Sequence, residues 1–200
     1  MKFIVVANDD AFEELSSGKE TIEWIKVKDA TAFKDYADAD AFFNLDESAY
    51  QQDYSSQASP VFINSVAHCL PDTGVLRFNG WNGFIKNETW EIAGQITNEV
   101  KLILSSLNKK FLLCADVPGF VSARIIAMII NEAWYALGDD ISSQEEIDIA
   151  MKLGTNYPYG PFEWGQKIGI KNIYTLLMEL SRENKKYSPA PKMVQLINSK

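Results

Sequence analysis

The chain is poor in the residues that build metal sites and disulfide frameworks. Among its 200 residues there is one histidine, His68, and there are two cysteines, Cys69 and Cys114, which lie far apart and form no C-x-x-C pair. A structural zinc site needs clustered cysteines or histidines, and a disulfide framework needs several spaced cysteines. We therefore expect neither, and we expect both cysteines to be buried thiols.

Positive charge and long apolar runs are also scarce. Nineteen lysines and arginines stand against 27 aspartates and glutamates, which gives a formal net charge of −8 at pH 7. Nucleic acid and anionic membrane surfaces are therefore poor candidates as partners, because both are bound by basic surfaces. The apolar runs at residues 3–7 and 125–130 are too short to span a membrane, and we expect a cytoplasmic protein.

In the first half of the chain, short apolar runs alternate with helical segments. Runs typical of strands occur at residues 2–7, 21–27, 41–45, 61–66, 75–79 and 110–115. Helices are expected at residues 30–36 and 97–107, the second because its apolar residues recur at helical spacing. Strands that alternate with helices favour an α/β fold with a mostly parallel sheet.

After Pro118 the pattern is typical of helices alone. Residues 121–137 are apolar on almost every face, and their number favours a buried helix over a strand. A further helix is expected to begin at a capping box, formed by Ser142 or Ser143 with a glutamate three residues later, and to stop at Gly154. We therefore predict an α/β domain at residues 1–116 and an all-α domain at residues 117–200.

The helical part carries three motifs in a fixed order. They are D-V-P-G-F-V-S-A-R from Asp116, N-E-A-W from Asn131, and E-E-I-D-I-A-M-K-L-G-T-N-Y-P-Y-G-P-F-E from Glu145. At this spacing they resemble the 3-hydroxyacyl-CoA dehydrogenase family. The resemblance implies a truncated Rossmann-like domain followed by the family's helical domain, which forms the subunit interface and one wall of the acyl-CoA cleft. It also implies a homodimer, an acyl-CoA ligand and NAD as cofactor.

Followed into the first domain, the resemblance assigns candidate site residues. Ser59 matches the serine that contacts the substrate's 3-oxygen, and Glu91 matches the glutamate that orients the catalytic histidine, with Glu88 as the alternative. Ala123 replaces the asparagine that follows the Pro-Gly-Phe of the family. The resemblance thus implies that part of the active site is absent.

The catalytic histidine of the family has no counterpart here. Arg77 stands at its position, or Leu76 after a shift of one residue, and neither side chain exchanges a proton near neutral pH. His68 lies about nine residues earlier, and we expect it to be a surface or core residue. We expect Ser59, Arg77 and Glu91 to converge in the groove between the domains. There Arg77 either pairs with Glu91, which we favour, or binds an anionic ligand group.

The turn that binds the cofactor's pyrophosphate in the family is also changed. The family has Gly-x-Gly-x-x-Gly there, whose glycines let backbone N–H groups approach the phosphates. Here the turn reads A-N-D-D-A-F-E-E from Ala7, without glycine and with four carboxylates that repel a phosphate. Asp29, after the second predicted strand, is the candidate for the ribose-binding acid.

Three functions are compatible with these observations. The first is a family protein of acyl-CoA metabolism in which NAD-dependent hydride transfer is impaired or lost. The second is an active NAD-dependent 3-hydroxyacyl-CoA dehydrogenase, for example one acting on 3-hydroxybutyryl-CoA, with an atypical site. The third is a non-catalytic dimeric module that binds acyl-CoA or supports a partner enzyme.

Overall fold

A computed structural model describes residues 1–70 and 73–199 of the chain. The chain divides into two compact units, Met1–Phe120 and Val121–Lys200, which we name the α/β unit and the helical unit. The expected boundary between residues 116 and 117 lies just before this division. Within the described residues, no helix is long and apolar enough to cross a membrane.

The α/β unit is built on one sheet, whose described strands follow the order β2-β1-β3-β4-β5-β6-β7. Strands β1 to β5 pair in parallel, β6 runs antiparallel to β5, and β7 runs parallel to β6. The predicted α/β fold with a mostly parallel sheet is therefore confirmed. The strands are β1 (Lys2–Val6), β2 (Glu23–Val27), β3 (Ala41–Asn44), β4 (Val61–Asn64), β5 (Leu76–Phe78), β6 (Thr89–Ala93) and β7 (Lys110–Leu113).

Helices α1 (Asp9–Ser16) and α2 (Asn98–Ser106) pack on one face of this sheet. The core on that face is rich in aromatic rings, which include Phe3, Phe43, Phe62, Phe78 and Trp90. On the other face lies a smaller apolar cluster, which includes Phe33 of a short 3₁₀ helix, Ala30–Asp35. The sequence pattern predicted an α-helix in this segment. Strand β6 is an addition to the predicted strands.

The helical unit consists of helices that follow one another with short connections. Its first helix, α3, has the length predicted from its apolar run and buries Ala127 and Ile130 completely. Ser143 is the N-cap of α4, and its capping box with Glu146 is present as predicted. The described helices are α3 (Ser122–Gly138), α4 (Gln144–Thr155), α5 (Pro161–Ile168), α6 (Ile170–Glu183) and α7 (Pro191–Asn198).

Helix α4 ends at a different residue from the one predicted. Gly154 was expected to stop the helix, but it lies within α4. The left-handed residue at the C-cap is Asn156, with φ 56°. Asparagine tolerates this conformation better than most residues, which explains why the helix ends without a glycine at that position.

The N-terminus of helix α5 is capped by a carboxylate of α4. Asp148 is 8% exposed, and its two oxygens accept hydrogen bonds from the backbone N–H groups of Phe162 at 2.7 Å and Glu163 at 3.1 Å. These are N–H groups in the first turn of α5, which have no partner within their own helix. Gly160 makes this approach possible, because a Cβ atom at that position would overlap the Asp148 side chain. Asp148 of the I-D motif and Gly160 of the Y-G-P-F-E motif thus act together to hold α4 and α5 against each other.

We predict that Gly160→Ala lowers the free energy of unfolding by about 1–3 kcal/mol, since the added methyl group forces Asp148 away from α5. Gly154→Ala is the matched control, because its Cβ meets nothing within 4 Å in an exposed part of α4. It should be neutral or stabilising by about 0.5–1 kcal/mol. Urea unfolding of both variants tests this, and equal effects would contradict the proposed role of Gly160.

Candidate functional site at the carboxyl edge of the sheet

Arg77 lies in β5 with only 1% of its surface exposed. Its guanidinium donates from Nε to the carbonyl oxygen of Ser65 at 2.7 Å and from Nη2 to those of Val66 and Val117. Its Nη1 atom forms an ion pair with the carboxylate of Asp116. A buried arginine that is paired and hydrogen-bonded in this way is held in one orientation.

The partners of Arg77 belong to two loops. Ser65 and Val66 follow β4, whereas Asp116 and Val117 follow β7. Asp116 also accepts from the backbone N–H of Leu70 at 3.3 Å. The guanidinium therefore fastens the start of the D-V-P-G-F motif to the loop after β4.

The rest of the D-V-P-G-F motif closes over the same guanidinium. The ring of Phe120 lies 4.7 Å from its central carbon, and the N–H of Gly119 donates to Val66 at 2.8 Å. Gly119 and Phe120 have φ values of 85° and 48°, and a left-handed conformation is uncommon for a bulky residue such as phenylalanine. Packing against the guanidinium compensates for this conformation.

The structure corrects the expected partner of Arg77. The register pairs Arg77 with Ala93, and Glu91 lies two residues from Ala93, so Arg77 and Glu91 share a face of the sheet. The carboxylate that the structure places against the guanidinium is nevertheless that of Asp116. The alternative glutamate, Glu88, pairs with Lys110 at 2.6 Å at the exposed end of the sheet. An anionic ligand at Arg77 would have to displace these internal partners.

Ser59 lies at the opposite edge of the sheet from these groups. It precedes β4, and its hydroxyl donates to the carbonyl oxygen of Ala39, which precedes β3, at 2.7 Å. Open α/β sheets bind their ligands beyond the carboxyl ends of the strands. The expected convergence of Ser59 with Arg77 and Glu91 is therefore wrong within the α/β unit. The serine that follows β4, and whose carbonyl binds Arg77, is Ser65.

Asparagines mark the carboxyl ends of three neighbouring parallel strands. Asn44 ends β3, Asn64 ends β4, and Asn79 follows β5; all three are buried. The Asn64 amide donates to Leu45 at 3.2 Å, and its oxygen accepts from the N–H of Gly80 at 3.2 Å. A Cβ atom at Gly80 would approach Asn64 to 2.9 Å. The loops after these strands are thus tied tightly to one another.

Glu47 is the titratable group that the sequence reasoning missed at this edge. Its Oε1 atom accepts from the Asn64 amide at 2.9 Å. The residue as a whole is exposed, but its carboxyl group lies among surrounding protein atoms. This burial raises the pKa of Glu47 to about 7, although the hydrogen bond from Asn64 opposes the rise. A carboxyl group with a pKa near neutrality is suited to proton exchange, and it also occurs in purely structural networks.

The turn after β1 does not fit the pyrophosphate of a nicotinamide cofactor. Asn8 is the N-cap of α1, and its side-chain oxygen accepts from the N–H of Ala11 at 2.8 Å. Asp9 and Asp10 occupy the first turn, where Asp9 is ion-paired with Lys26. The pKa of Asp9 is lowered, chiefly by its hydrogen bond from Lys26. The helix terminus that binds phosphate in dinucleotide-binding folds therefore presents negative charge.

Asp29 has a structural partner of its own. Its carboxylate caps the 3₁₀ helix Ala30–Asp35 and accepts from the backbone N–H of Thr31 at 3.0 Å. Hydrogen bonds from the Thr31 hydroxyl and N–H lower the pKa of Asp29. Capping of the 3₁₀ helix is a sufficient reason for an acidic residue after β2. The role of Asp29 in binding the ribose of a cofactor stays a prediction.

Ala123, His68 and the two cysteines are the remaining residues considered from the sequence. Ala123 is completely buried in α3 of the helical unit. The His68 ring stacks on that of Tyr50 with centroids 4.0 Å apart, and its backbone carbonyl accepts from Ser65. Cys69 and Cys114 are half-buried, which corrects the expected burial of both thiols. Within the described ranges 1–70 and 73–199, no cluster of three or more histidine, cysteine or acidic side chains is arranged to hold a metal.

We predict that Arg77→Met lowers the free energy of unfolding by about 3 kcal/mol, because the substitution removes the guanidinium donors from Asp116 and from the carbonyl oxygens of Ser65, Val66 and Val117. The matched control is Arg182→Met, which removes an exposed pair with Glu179. That pair is worth at most about 1 kcal/mol. Chemical denaturation measures both, and similar losses would show that Arg77 has no special structural role.

Relatives in sequence match only part of the chain. The 3-hydroxyadipyl-CoA dehydrogenase of Escherichia coli (strain K12) is 42% identical over 95 residues, which is 46% of this chain and 20% of that protein. A 3-hydroxybutyryl-CoA dehydrogenase of Clostridioides difficile is 36% identical over 115 residues, 54% of this chain and 41% of that protein. The matches thus span less than half the length of these relatives.

Solved structures share the fold over nearly the whole chain. FadB2 of M. tuberculosis superimposes with a TM-score of 0.75 at 13% identity, over 98% of this chain and 93% of that one. The (S)-3-hydroxybutyryl-CoA dehydrogenase PaaH1 of Ralstonia eutropha gives 0.70 at 18% identity, over 99% and 93%.

The helical unit carries the clearest match. The model of the 3-hydroxyacyl-CoA dehydrogenase C-terminal domain matches residues 119–200, which begin within the D-V-P-G-F motif fastened by Arg77. The curated relatives named above are dehydrogenases of 3-hydroxyacyl-CoA thioesters. Residues 119–200 therefore belong to the C-terminal domain family of the 3-hydroxyacyl-CoA dehydrogenases.

Proposed function

We propose that this chain is a family member that no longer transfers hydride with NAD and that serves acyl-CoA metabolism as a non-catalytic dimeric module. The observation that carries the proposal is the state of Arg77. The resemblance puts Arg77, or Leu76 after a shift of one residue, at the position of the catalytic histidine, and neither side chain is an acid–base group near neutral pH. Arg77 is in addition buried and bound by Asp116 and three carbonyl oxygens. It has neither the acid–base chemistry nor the freedom to serve as a proton relay.

The turn after β1 supports the same conclusion for the cofactor. A pyrophosphate needs free backbone N–H groups and close backbone approach, which glycines provide. Here Asn8 already occupies an N–H group of the first turn, and Asp9 and Asp10 add negative charge. We therefore infer that NAD binds weakly, and we assign no step of a reaction to it. The acyl-CoA ligand implied by the family stays part of the proposal.

One observation favours a second candidate, an active dehydrogenase with an atypical site. Glu47 lies at the carboxyl edge of the parallel strands, and its pKa of about 7 would let it exchange a proton near neutral pH. His68 belongs to the loop after β4 at the same edge. We rank this candidate second because Glu47 has a sufficient structural partner in Asn64.

We predict that the chain binds NADH weakly and does not reduce acetoacetyl-CoA at the rate of an active family member. Loss of a positioned acid–base group alone costs about 10²–10⁴-fold in rate. NADH absorbance with acetoacetyl-CoA and calorimetric titration of NADH provide the two readouts. The 3-hydroxybutyryl-CoA dehydrogenase of C. difficile is the positive control.

Turnover of about 1 per second or more, or micromolar affinity for NADH, would contradict the loss of activity. Glu47→Gln and His68→Ala would then identify the base. A loss confined to the Glu47 variant would establish the second candidate, and a loss confined to the His68 variant would establish a displaced histidine.

The dimer is proposed to form through the helical unit. Large apolar side chains are exposed on this unit, and Ile149 and Leu153 lie one turn apart on α4. Leu153 is 83% exposed and Ile141, just before α4, is 73% exposed. Several exposed large apolar side chains on one unit are typical of protein interfaces, and a second copy would cover them symmetrically.

We predict that the chain sediments at twice its 22.5 kDa mass and that Leu153→Glu converts it to the monomer. The glutamate charge would be buried at the interface without a partner. We expect this to weaken association by at least tenfold, which corresponds to about 1.4 kcal/mol. Gln195→Glu is the control, since it adds the same charge at an exposed position of α7. A wild-type mass of 22.5 kDa at all micromolar concentrations would exclude this dimer.

A further inference from the structure

The last strand of the sheet, β7, presents an edge that pairs with no further strand among the described residues 1–70 and 73–199. Its apolar side chains are exposed, Phe111 by 38%, Leu112 by 49% and Leu113 by 58%. An exposed apolar edge strand is a template for pairing with another strand, and natural proteins commonly protect such an edge with charged side chains.

The opposite edge of the same sheet is protected in this way. Strand β2 carries exposed Glu23 and Lys26, and Lys26 is ion-paired with Asp9. In β7 the one charged side chain is Lys110, which begins the strand. The two edges therefore differ in their side-chain chemistry, and β7 is the edge suited to strand pairing.

Alternate backbone groups of β7 point away from its neighbour β6. The N–H groups of Lys110 and Cys114 each donate to a carbonyl oxygen of the β6 segment at 2.8 Å. Because the hydrogen-bonding direction alternates along a strand, the N–H and C=O groups of Leu112 also face β6, whereas those of Phe111 and Leu113 face outward. The outward groups offer donors and acceptors to another strand.

A second β7 matches this edge when it runs antiparallel with Leu112 on the two-fold axis. Phe111 of one copy then lies opposite Leu113 of the other, and the two residues exchange both N–H···O bonds. The register places Phe111 beside Trp90 and Leu113 beside Ile92, so both side chains lie on the face of the sheet that α2 covers. The pairing thus sets apolar side chains against each other on that face.

The other face of the sheet supplies complementary charge. Lys110 of one copy would lie there opposite Cys114 of the other. Burial, and then the negative charge of Glu91, raise the pKa of the Cys114 thiol, so Glu91 lies near that thiol. The register therefore brings a lysine of each copy towards a glutamate of the other and sets no two like charges opposite each other. This complementarity favours a second copy of the chain as the occupant of the edge.

We propose that β7 pairs antiparallel with β7 of a second copy of this chain, which joins two α/β units into one continuous sheet. The edge is short and buries little surface, so a dissociation constant of roughly 0.1–1 mM is expected. The pairing depends neither on the proposed function nor on the dimer of the helical unit, which would be the association observed at micromolar concentrations.

The test uses the full chain with Leu153→Glu as background, because this substitution removes the other proposed interface. In sedimentation equilibrium the average mass should rise by about half or more between about 10 µM and 1 mM. Over the same range, hydrogen exchange should slow at the outward amides of Phe111 and Leu113. The amide of Leu112 should be protected at both concentrations, because it faces β6.

A proline substitution tests the backbone pairing. Leu113→Pro removes an outward N–H and takes no donor from β6, an orientation in which an edge strand tolerates proline. The mass of this variant should stay constant over the concentration range. Lys26→Pro is the matched control, because it removes an outward N–H from the β2 edge. Its mass should rise as in the background variant, and thermal unfolding verifies that each variant is folded.

A charge substitution tests the register without a change in the backbone. Lys110→Glu sets a like charge towards Glu91 of the second copy and should weaken association about fivefold. Lys34→Glu makes the same change at an exposed position of the 3₁₀ helix and should leave association within about twofold.

The proposal is overturned if the mass of the background variant stays constant up to about 1 mM. It is also overturned if Leu113→Pro associates as Lys26→Pro does, or if Lys110→Glu associates as Lys34→Glu does. Association that leaves hydrogen exchange at Phe111 unchanged would assign the contact to another surface and would equally reject the pairing of β7.

Discussion

The arrangement of the α/β unit depends on the burial of one positive charge. Arg77 lies in β5, which pairs with β4 on one side and β6 on the other, and its guanidinium is the common partner of a carboxylate and three carbonyl oxygens. Removing a guanidinium from water costs several kcal/mol, which only a nearly complete set of partners offsets. The loop after β4 and the segment after β7 are therefore constrained together, and Phe120 accepts an unfavourable backbone conformation within that constraint.

The surroundings of Arg77 give this side chain a structural role. An imidazole at the same position would be a smaller, neutral group that exchanges protons, whereas the guanidinium is larger, always charged and fully engaged. The turns after β1 and β2 are similar in this respect, because Asn8 and Asp29 use their side chains to cap local helices. At both places, groups expected to meet a ligand satisfy the protein's own backbone.

Much of the fold could be read from local patterns, and much of the site could not. The apolar runs predicted all strands except β6, and the length of α3 outweighed the strand preference of its isoleucines. Ser59 was expected in the groove with Arg77, but a match of residue types does not show at which end of a strand a residue lies. The Arg77–Asp116 pair joins residues 39 apart, with no local signal. The near-neutral pKa of Glu47 arises only from burial in the folded unit.

The carboxylate of Asp148 has a consequence for how the helical unit folds. Glu163 of α5 caps the N–H of Gly160, but the N–H groups of Phe162 and Glu163 are capped by Asp148 of α4, so the first turn of α5 is fully satisfied only when α4 is formed and docked. The two helices are thereby coupled into a single cooperative segment. Local opening that moves Asp148 away from α5 would remove the acceptor of both N–H groups, so the amide protons of Phe162 and Glu163 should exchange with solvent in the same event.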